Sequence, residues 1–436
     1  MSEKGSDPRS PVHMSTKLLD DALAIAGGWS QRLDLRELIE RQLRASNALD
    51  IDLDLIAIGK AAREMTLAAH EILGERVRRR LVIVDEGPVF SMDSDVEFVI
   101  GEHPLPGLGS LMAGERLVDF LENPTNAEST IFLISGGASS LCASPQSPVD
   151  LDDLHELFAA VVESGADITT LNQLRAASSS IAGGAILRSI RTPRSLSLIM
   201  VDNVVSGERW VASGLTFDYA PASAEVRRLL RVIGRGDTRL AARILEASDH
   251  RGDLMIEPVM TTHENRVIAE PSRVLAAVGD EAVRRAYRVV ELGASLHGDV
   301  QEIVDLMMAR VTAESLVDGP FCVVGVGEAT VQVRGSGVGG RCQEFAWRMA
   351  GAFGGYERDV VAVARATDGR DFVRGIAGGW SENETVRHAS DRGIDWSSVV
   401  KESDSYSALK ELGQLITGGR TGWNLCDVYL AVVGEA

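Results

Sequence analysis

Two basic side chains directly follow glycines at points where a helical pattern begins. Lys60 follows Gly59 and an apolar run, and Arg341 follows Gly340 at the end of the stretch GSGVGG. The first turn of a helix carries the positive end of the helix dipole, so a cation there stabilises the helix poorly. Both residues are therefore candidates for binding a phosphate or a carboxylate. For Lys60 the alternative is a solvated lysine in the first helical turn.

A second kind of turn is rich in serine and glycine. The apolar run IFLI ends in Ser135, Gly136 and Gly137, and Ser139 and Ser140 follow closely. The N–H groups and hydroxyls of such a turn can surround anionic oxygens. The turn lacks the lysine and the spacing of a Walker A loop. A tight turn suited to helix–strand packing is the alternative.

Carboxylates and a histidine follow other apolar runs. Asp368 and Asp371 share the loop after DVVAVARA, where they can hold Mg²⁺ or accept a proton from a substrate hydroxyl. The structural alternative is an Asx turn with Gly369. His103 lies between a strand end and two prolines, where a structural role is the alternative to a catalytic one.

Three glycines, Gly335, Gly337 and Gly340, satisfy the G-x-G-x-x-G pattern of dinucleotide-binding folds. That pattern expects an acidic residue about 20 positions later, whereas the next predicted strand ends at Asp368 and Arg341 opens the helix. A guanidinium beside glycines suits phosphoryl oxygens or a carboxylate better. Cations, backbone donors and carboxylates together predict phosphoryl transfer. A nicotinamide oxidoreductase is the alternative that rests on the glycine pattern alone.

Composition limits the class of protein. The 436 residues predict two domains, and a net charge of −19 disfavours nucleic acid and anionic membranes as partners. The four cysteines lie far apart without a C-x-x-C pair, which predicts neither a disulfide framework nor a zinc site. No apolar run approaches the roughly 18–20 residues of a membrane span. Residues 1–14 are predicted to be a flexible tail without a signal peptide, so the expected compartment is the cytoplasm.

The elements that position these residues alternate along the chain. Apolar runs begin near residues 53, 79, 129, 195, 320 and 359, and amphipathic helical stretches lie between many of them. This pattern predicts α/β folding with a buried, mostly parallel sheet, whose ligands bind at the carboxyl ends of strands. Residues 221–250 are predicted to be helical, 273–315 to form two helices, and 330–334 to form a strand. The predicted domains are 15–250 and 251–436.

The order of these loops resembles the glycerate 2-kinase family. The motifs that carry the resemblance are GKAA-x-x-M (59–65), E-H-P-x-P (102–106), LISGG-x-S (133–139), N-x-x-R…S-x-I-x-GG (172–184), SG-x-T (213–216), GE-x-TV-x-V-x-G-x-G-x-GGR-x-QE (327–344), TDG-x-D (367–371) and G-x-TG-x-N-x-x-D (419–427). The resemblance runs from about residue 15 to the C-terminus. It implies an N-terminal Rossmann-like, doubly wound sheet and a C-terminal α/β domain with a MOFRL module at about 318–432. It also implies an active site in the cleft between the domains.

The resemblance further implies an ATP- and Mg²⁺-dependent kinase that phosphorylates D-glycerate or a related small hydroxy acid or polyol. The implied catalytic residues are Lys60, Arg341 and Asp368. The residues implied to bind nucleotide or phosphate are Ser135, Gly136, Gly137, Ser139, Gly337, Gly339 and Gly340. Those implied to bind substrate or to form a polar network are His103, Arg175, Glu328 and Asn424, and the implied metal ligands are Asp202 and Asp371. The oligomeric state stays open, with a homodimer as one candidate.

Several loops depart from the family's motifs. The family's I-K-G-G is Ile181-Ala182-Gly183-Gly184 here, and its S-D-V-x-G-D-D loses two carboxylates within residues 201–207. Residues 372–378 do not match the family's G-P-T-D-A-A-G, and Ala138 and Ser140 replace a glycine and an alanine. These changes predict that D-glycerate is a poor substrate. They leave a non-catalytic, small-molecule-binding relative as the alternative to an enzyme.

Overall fold

A computed structural model describes residues 16–86, 96–123, 126–202, 207–250 and 262–435. The tail predicted at residues 1–14 lies outside the described residues. The strands are β1 (Leu53–Ile58), β2 (Val77–Val84), β3 (Val96–Ile100), β4 (Ser129–Ile134), β5 (Arg194–Met200), β6 (Thr262–Ala269), β7 (Arg288–Asp299), β8 (Phe321–Thr330), β9 (Val360–Ala366), β10 (Ile376–Glu382), β11 (Leu415–Thr417) and β12 (Asp427–Val433).

The helices are α1 (Thr16–Gly27), α2 (Trp29–Arg32), α3 (Leu35–Ala45), α4 (Ala62–Leu73), α5 (Leu108–Glu122), α6 (Ala138–Leu141), α7 (Leu151–Ser164), α8 (Ile168–Ser178), α9 (Ser223–Val232), α10 (Arg239–His250), α11 (Pro271–Arg284), α12 (Val300–Glu314), α13 (Arg341–Ala352), α14 (Thr385–Asp391), α15 (Trp396–Glu402) and α16 (Ser405–Leu412). Short 3₁₀ helices span Gly74–Arg76, Ala185–Ser189 and Glu208–Ser213. Within the described ranges, no helix is both long enough and apolar enough to cross a membrane.

The chain divides into two compact units. The first unit consists of Leu33–Arg273 and Arg420–Cys426, and the second contains the described residues up to Arg32, Val274–Gly419 and the residues from Asp427 onward. The sequence predicts a single division near residue 250, whereas each of these units combines separate segments of the chain. Strand β6 follows that point but pairs with β5, and α1 packs against β9 and β12. Sequence patterns locate a strand or helix but do not identify its packing partner.

The first unit is built on a six-stranded parallel sheet in the order β3-β2-β1-β4-β5-β6. This is the Rossmann order, and the predicted Rossmann-like, doubly wound sheet is confirmed. Helices α3 and α4 cover one face, while α5 and α6 pack with the strands in a core that includes Ile56, Leu117 and Phe132. The winding reverses between β1 and β4, so their carboxyl ends open a crevice.

The second unit contains a mixed sheet in the order β11-β10-β9-β12-β8-β7. Only the β7–β8 pair is parallel, and the other neighbours are antiparallel, so the prediction of a mostly parallel sheet is wrong here. The apolar runs arise because both faces are covered, by α12 and α13 on one side and by α1. A strand with helices on both faces needs apolar side chains on both faces. This is so whether its neighbours run parallel or antiparallel to it.

Two local predictions in this unit also need correction. Residues 288–299, predicted as helix, form β7, which ends at the N-cap of α12. The strand predicted at 330–334 is absent, because β8 ends at Thr330 and the following described residues are irregular. The helix predicted from Arg341 is present as α13.

Candidate functional site

The turn that carries Lys60 is joined to the turn after β4. The backbone N–H of Lys60 donates to the carbonyl of Gly136 at 2.9 Å. Gly59 has a φ of +125°, and a Cβ there would collide with Ser135. The turns after two neighbouring strands therefore hold each other, and this fixes where Lys60 leaves the sheet.

Ser135, predicted to bind phosphate, lies inside this junction. Its side chain is buried, and its Oγ accepts a hydrogen bond from the N–H of Ala61 at 3.0 Å. Its own N–H donates to Ile58. The hydroxyl therefore shapes the turn before α4, and any ligand contact of this loop has to come from its neighbours.

The two glycines that follow leave room for side chains. A Cβ at Gly136 would overlap Asp202 and approach Asn424. Gly137 has a φ of +83°, and a Cβ there would lie 3.2 Å from Cγ of Lys60 and 3.3 Å from Cδ2 of His103. Lys60 and the exposed His103 thus lie beside the same glycine. The predicted loop, the lysine and the histidine form one cluster at the carboxyl edge of the first sheet.

Asp202 follows β5 at the same edge. Its Oδ2 accepts a hydrogen bond from Nδ2 of Asn424 at 2.8 Å, and its carbonyl accepts one from the thiol of Cys426 at 2.8 Å. Asn424 in turn donates its N–H to the sulfur of Met200 at 3.3 Å. The segment Arg420–Cys426, distant in sequence, therefore orients the carboxylate that the resemblance proposes as a metal ligand.

Arg420 is a functional candidate that sequence reasoning missed. One of its guanidinium nitrogens donates to the carbonyl of Lys60 at 2.8 Å and to the carboxylate of Asp85 at 2.9 Å, and Glu86 lies 3.6 Å from its other terminal nitrogen. The motif G-x-TG-x-N around it could have directed attention here, but its contact with Lys60 spans 360 residues.

Arg175 lies on α8 and lines a pocket beside the turn after β4. Among the described residues its guanidinium has no hydrogen bond or ion pair, and burial lowers its pKa to about 10. Ser139 lines the same pocket, and its Oγ lies 2.9 Å from Oγ of Ser213, which also lies 2.9 Å from Oδ1 of Asn172. Ala182, where the family's motif has lysine, is a further lining residue.

In the second unit, Arg341 forms ion pairs with two carboxylates. Its Nε lies 3.1 Å from Oδ2 of Asp427, and a terminal nitrogen bonds to Glu328. Asp427 is buried and also accepts a hydrogen bond from the hydroxyl of Tyr429. The charge of Asp427 is the main cause that raises the pKa of Arg341, although burial opposes it. The guanidinium is permanently charged and held in one orientation.

Asp371, a predicted metal ligand, caps α13. Its carboxylate accepts from the N–H groups of Cys342 at 3.2 Å and Gln343 at 2.9 Å, and from the Gln343 amide at 2.9 Å. Burial, followed by the negative charge of Asp427, raises the pKa of Asp371 to about 6. The carboxylate occupies the helix terminus, the position that an anionic ligand would otherwise take.

The glycine-rich loop before α13 packs against the chain around residues 402–405. The N–H of Gly337 donates to the carbonyl of Glu402 at 2.9 Å, and the N–H of Val338 donates to Asp404 at 3.0 Å. A Cβ at Gly339 would collide with Ser405, and one at Gly340 would collide with Asp371. Close packing therefore accounts for these glycines, and part of the predicted anion-binding surface is used internally.

Asp368 forms the Asx turn given above as the structural alternative. Its Oδ1 accepts from the N–H of Arg370 at 2.8 Å, and Gly369 has a φ of +79°. The side chain is half-buried at the end of β9. This turn orients the carboxylate at the end of β9.

The predicted site residues separate into two groups. The first unit holds Lys60, His103, the 135–139 loop, Arg175, Asp202 and Asn424, and the second holds Glu328, the glycines before α13, Arg341, Asp368 and Asp371. No group of three or more His, Cys, Asp or Glu side chains suited to a metal ion occurs among the described residues. The departures within residues 203–206 lie outside them.

Two family models match the chain. The model described as a domain of unknown function, DUF4147, matches residues 29–247, half of the chain, and the model of the MOFRL family matches residues 321–427. A curated D-glycerate 2-kinase of Thermotoga maritima is 28% identical, with 87% of this chain and 90% of the relative covered. A human glycerate kinase is 27% identical, with 87% of this chain and 84% of the relative covered.

Structural similarity identifies the same kind of relative as sequence similarity does. The crystal structure of a glycerate kinase from Thermotoga maritima matches with a TM-score of 0.82 and 26% identity, and it covers 96% of this chain and 100% of that chain. The matched domains follow one another in the order that the loop motifs imply. The chain belongs to the glycerate 2-kinase family.

Proposed function

We propose that this protein is a kinase that transfers a phosphoryl group from ATP to the hydroxyl of a small hydroxy acid or polyol related to glycerate. The observation that carries the proposal is the Lys60 turn, which lies where the winding of a Rossmann-ordered sheet reverses and is held by Gly136 and Arg420. A fixed lysine beside a serine- and glycine-rich loop suits the positioning that phosphoryl transfer requires.

Within this proposal Lys60 and Arg341 are the two cations. Lys60 contacts phosphoryl oxygens as a point charge, and the N–H groups and hydroxyl of the 135–139 loop add neutral donors. Arg341 stabilises the charge of the transferring group, with Glu328 and Asp427 holding its orientation. Asp368 accepts the proton of the substrate hydroxyl.

Mg²⁺ fits these residues only as an ion that arrives with the nucleotide. Mg²⁺ is usually held by one or two carboxylates together with substrate phosphates. The Asp371 carboxylate accepts hydrogen bonds from three N–H donors, so Asp202 is the residue that would hold the ion. The metal would neutralise charge on the phosphates. The Asp202 carboxylate accepts a hydrogen bond from the Asn424 amide, which orients it.

A non-catalytic relative is the second candidate, and Ala182 is the observation that favours it. Where the family's motif supplies a lysine, this chain has a methyl group on the wall of the Arg175 pocket. The oxidoreductase alternative has less support, because the N–H groups of Gly337 and Val338 already bond to Glu402 and Asp404. A dinucleotide pyrophosphate would need such donors.

Calorimetric titration with ATP, ADP and NADH, each with and without Mg²⁺, separates the candidates. Binding of ATP strengthened by Mg²⁺, together with ADP formation in the presence of hydroxy acids or polyols, supports the kinase. Nucleotide binding without any phosphoryl acceptor among these compounds, or no nucleotide binding, favours the non-catalytic relative. Binding of NADH alone would replace the proposal with the oxidoreductase.

A further inference from the structure

We infer that the pocket lined by Arg175 binds the carboxylate and hydroxyl of a small hydroxy acid whose remaining substituent is a short alkyl group. The inference rests on the proposed function and gives its substrate class. It goes beyond glycerate itself, whose remaining carbon carries a second hydroxyl.

The charge in the pocket comes from one residue. Arg175 is the charged member of the described lining residues, and within the described chain its guanidinium has neither an ion pair nor a hydrogen bond. A guanidinium with its five N–H donors is costly to leave without partners in a pocket. A carboxylate would accept two of these donors in a bidentate contact. Arg175 is half-buried, and burial lowers the pKa of its guanidinium to about 10.

A hydroxyl partner stands in the same pocket. Asn172 is buried, and its Oδ1 accepts a hydrogen bond from the Ser213 hydroxyl at 2.9 Å. The same hydroxyl is also placed to donate to Oγ of Ser139, 2.9 Å away, so its single proton is shared between two acceptors. The Ser139 hydroxyl therefore keeps its own proton for a ligand and would donate a hydrogen bond to a ligand hydroxyl. This arrangement discriminates in favour of a hydroxy acid over the deoxy acid.

The rest of the wall is largely apolar. Leu154, Ile181, Ala182, Leu215 and Cys142 line it, and burial raises the pKa of the Cys142 thiol to about 12, so the thiol stays neutral. An alkyl substituent would be removed from water against these side chains. Ser144 and Ser179 also line the pocket, but their hydroxyls are already hydrogen-bonded to Ser180 and to the backbone. A second ligand hydroxyl would therefore lose its hydrogen bonds to water without a free partner there. The alkyl-substituted acid should therefore bind more tightly than glycerate.

Calorimetry in the absence of nucleotide tests the inference on the full chain. The probes are 2-hydroxy-3-methylbutanoate, its carboxamide, the deoxy acid 3-methylbutanoate, and D-glycerate. We expect the hydroxy acid to bind, the carboxamide to bind at least tenfold more weakly, and the deoxy acid and glycerate to bind several-fold more weakly. These comparisons use only wild-type protein, so they do not depend on the folding of any variant.

Variants then assign the carboxylate contact. Arg175→Met should weaken binding of the hydroxy acid at least tenfold, Arg175→Lys should weaken it less, and Arg116→Met should leave it unchanged. Arg116 is a matched control because its side chain is exposed on α5 and pairs with Glu97 and Asp119. Thermal unfolding by circular dichroism checks that each variant is folded.

Three results would each overturn the inference, even if the protein proves to be a kinase. They are equal binding of the acid and the carboxamide, tighter binding of glycerate than of the alkyl-substituted acid, and no binding of any probe. Binding with the expected pattern but no ADP formation from ATP would leave the inference standing and would contradict the proposed kinase. The two failures are therefore distinguishable.

Discussion

The guanidinium of Arg420 donates a hydrogen bond of 2.8 Å to the backbone carbonyl of Lys60, 360 residues earlier in the chain. The same group pairs with Asp85 at 2.9 Å, so the end of β2 and the turn after β1 are joined through one side chain. Lys60 is thereby held on both sides, since its N–H bonds to Gly136. In the proposed kinase, Arg420 is a positioning residue for Lys60.

Arg420→Ala should lower kcat about tenfold, because a small displacement of a positioned charge weakens its contact with the transition state. In a Lys60→Ala background the same change should have little further effect, since residues that act as a unit are not additive. Steady-state kinetics of the two single variants and the double variant measure this. Arg387→Ala, which removes an exposed arginine paired with Glu384 and Asp391, is the control. Additive losses would contradict the positioning role.

Lys60→Ala should lower kcat on the order of 10²–10³, the usual effect of removing one preorganised electrostatic contact. Stability should change little, because the Lys60 side chain is only partly buried and stands near the positive end of the α4 dipole. Phosphoryl transfer and urea unfolding are measured on the same preparation, with Lys401→Ala as the control. An unchanged rate with an accepted substrate would remove Lys60 from the catalytic set.

Arg341→Ala should abolish activity and also destabilise the fold. The change leaves the buried Asp427 without its cation, at a cost of roughly 1–3 kcal/mol given that Arg341 is partly exposed. The double variant Arg341→Ala/Asp427→Asn should recover stability in urea unfolding without recovering activity. Recovery of activity in the double variant would show that Arg341 serves only the fold.

The sequence was sufficient for the elements that depend on local pattern. The turns at Gly59 and Gly137, the helix from Arg341 and the Asx turn at Asp368 follow from residue types within a few positions of one another. Strand direction in the second sheet and the pairing of β6 with β5 depend on tertiary contacts. A strand covered on both faces has the same apolar pattern whichever way its neighbours run.

The same limit applies to the site. Local pattern marked Ser135 and Asp371 as ligand-binding groups, yet the first bonds to Ala61 and the second caps α13. A buried polar group forms hydrogen bonds with the groups that the fold places beside it. Such a partner can lie far away in the sequence. The contacts of Arg420 with Lys60 and of Asn424 with Asp202 could not be read from spacing for this reason.

The buried Asp371 should make stability depend on pH. Its pKa is raised from 3.8 to about 6 in the folded chain, so between these values the folded state keeps a proton that the unfolded state releases. Stability from this group is therefore greatest at about pH 4 and falls as pH rises through 6, by about 3 kcal/mol at most. Urea unfolding of wild type and Asp371→Asn from pH 4.5 to 7 measures it. A difference between the two proteins that is constant, or that grows in favour of wild type with pH, would contradict this.

The final prediction concerns D-glycerate, which we expect to be a poor substrate. The wall of the Arg175 pocket presents the methyl group of Ala182 and mostly apolar neighbours to the substrate, so the second hydroxyl of glycerate loses its water without gaining a partner. Ala182→Lys should add a donor and raise kcat/KM for D-glycerate with Mg²⁺-ATP several-fold, while lowering it for 2-hydroxy-3-methylbutanoate. Ala143→Lys, a change at another lining alanine, is the control for a charge added elsewhere on the wall. A wild-type kcat/KM for D-glycerate of about 10⁴ M⁻¹s⁻¹ or more, within the usual enzyme range, would show that the pocket tolerates the second hydroxyl and that Ala182 does not set the substrate preference.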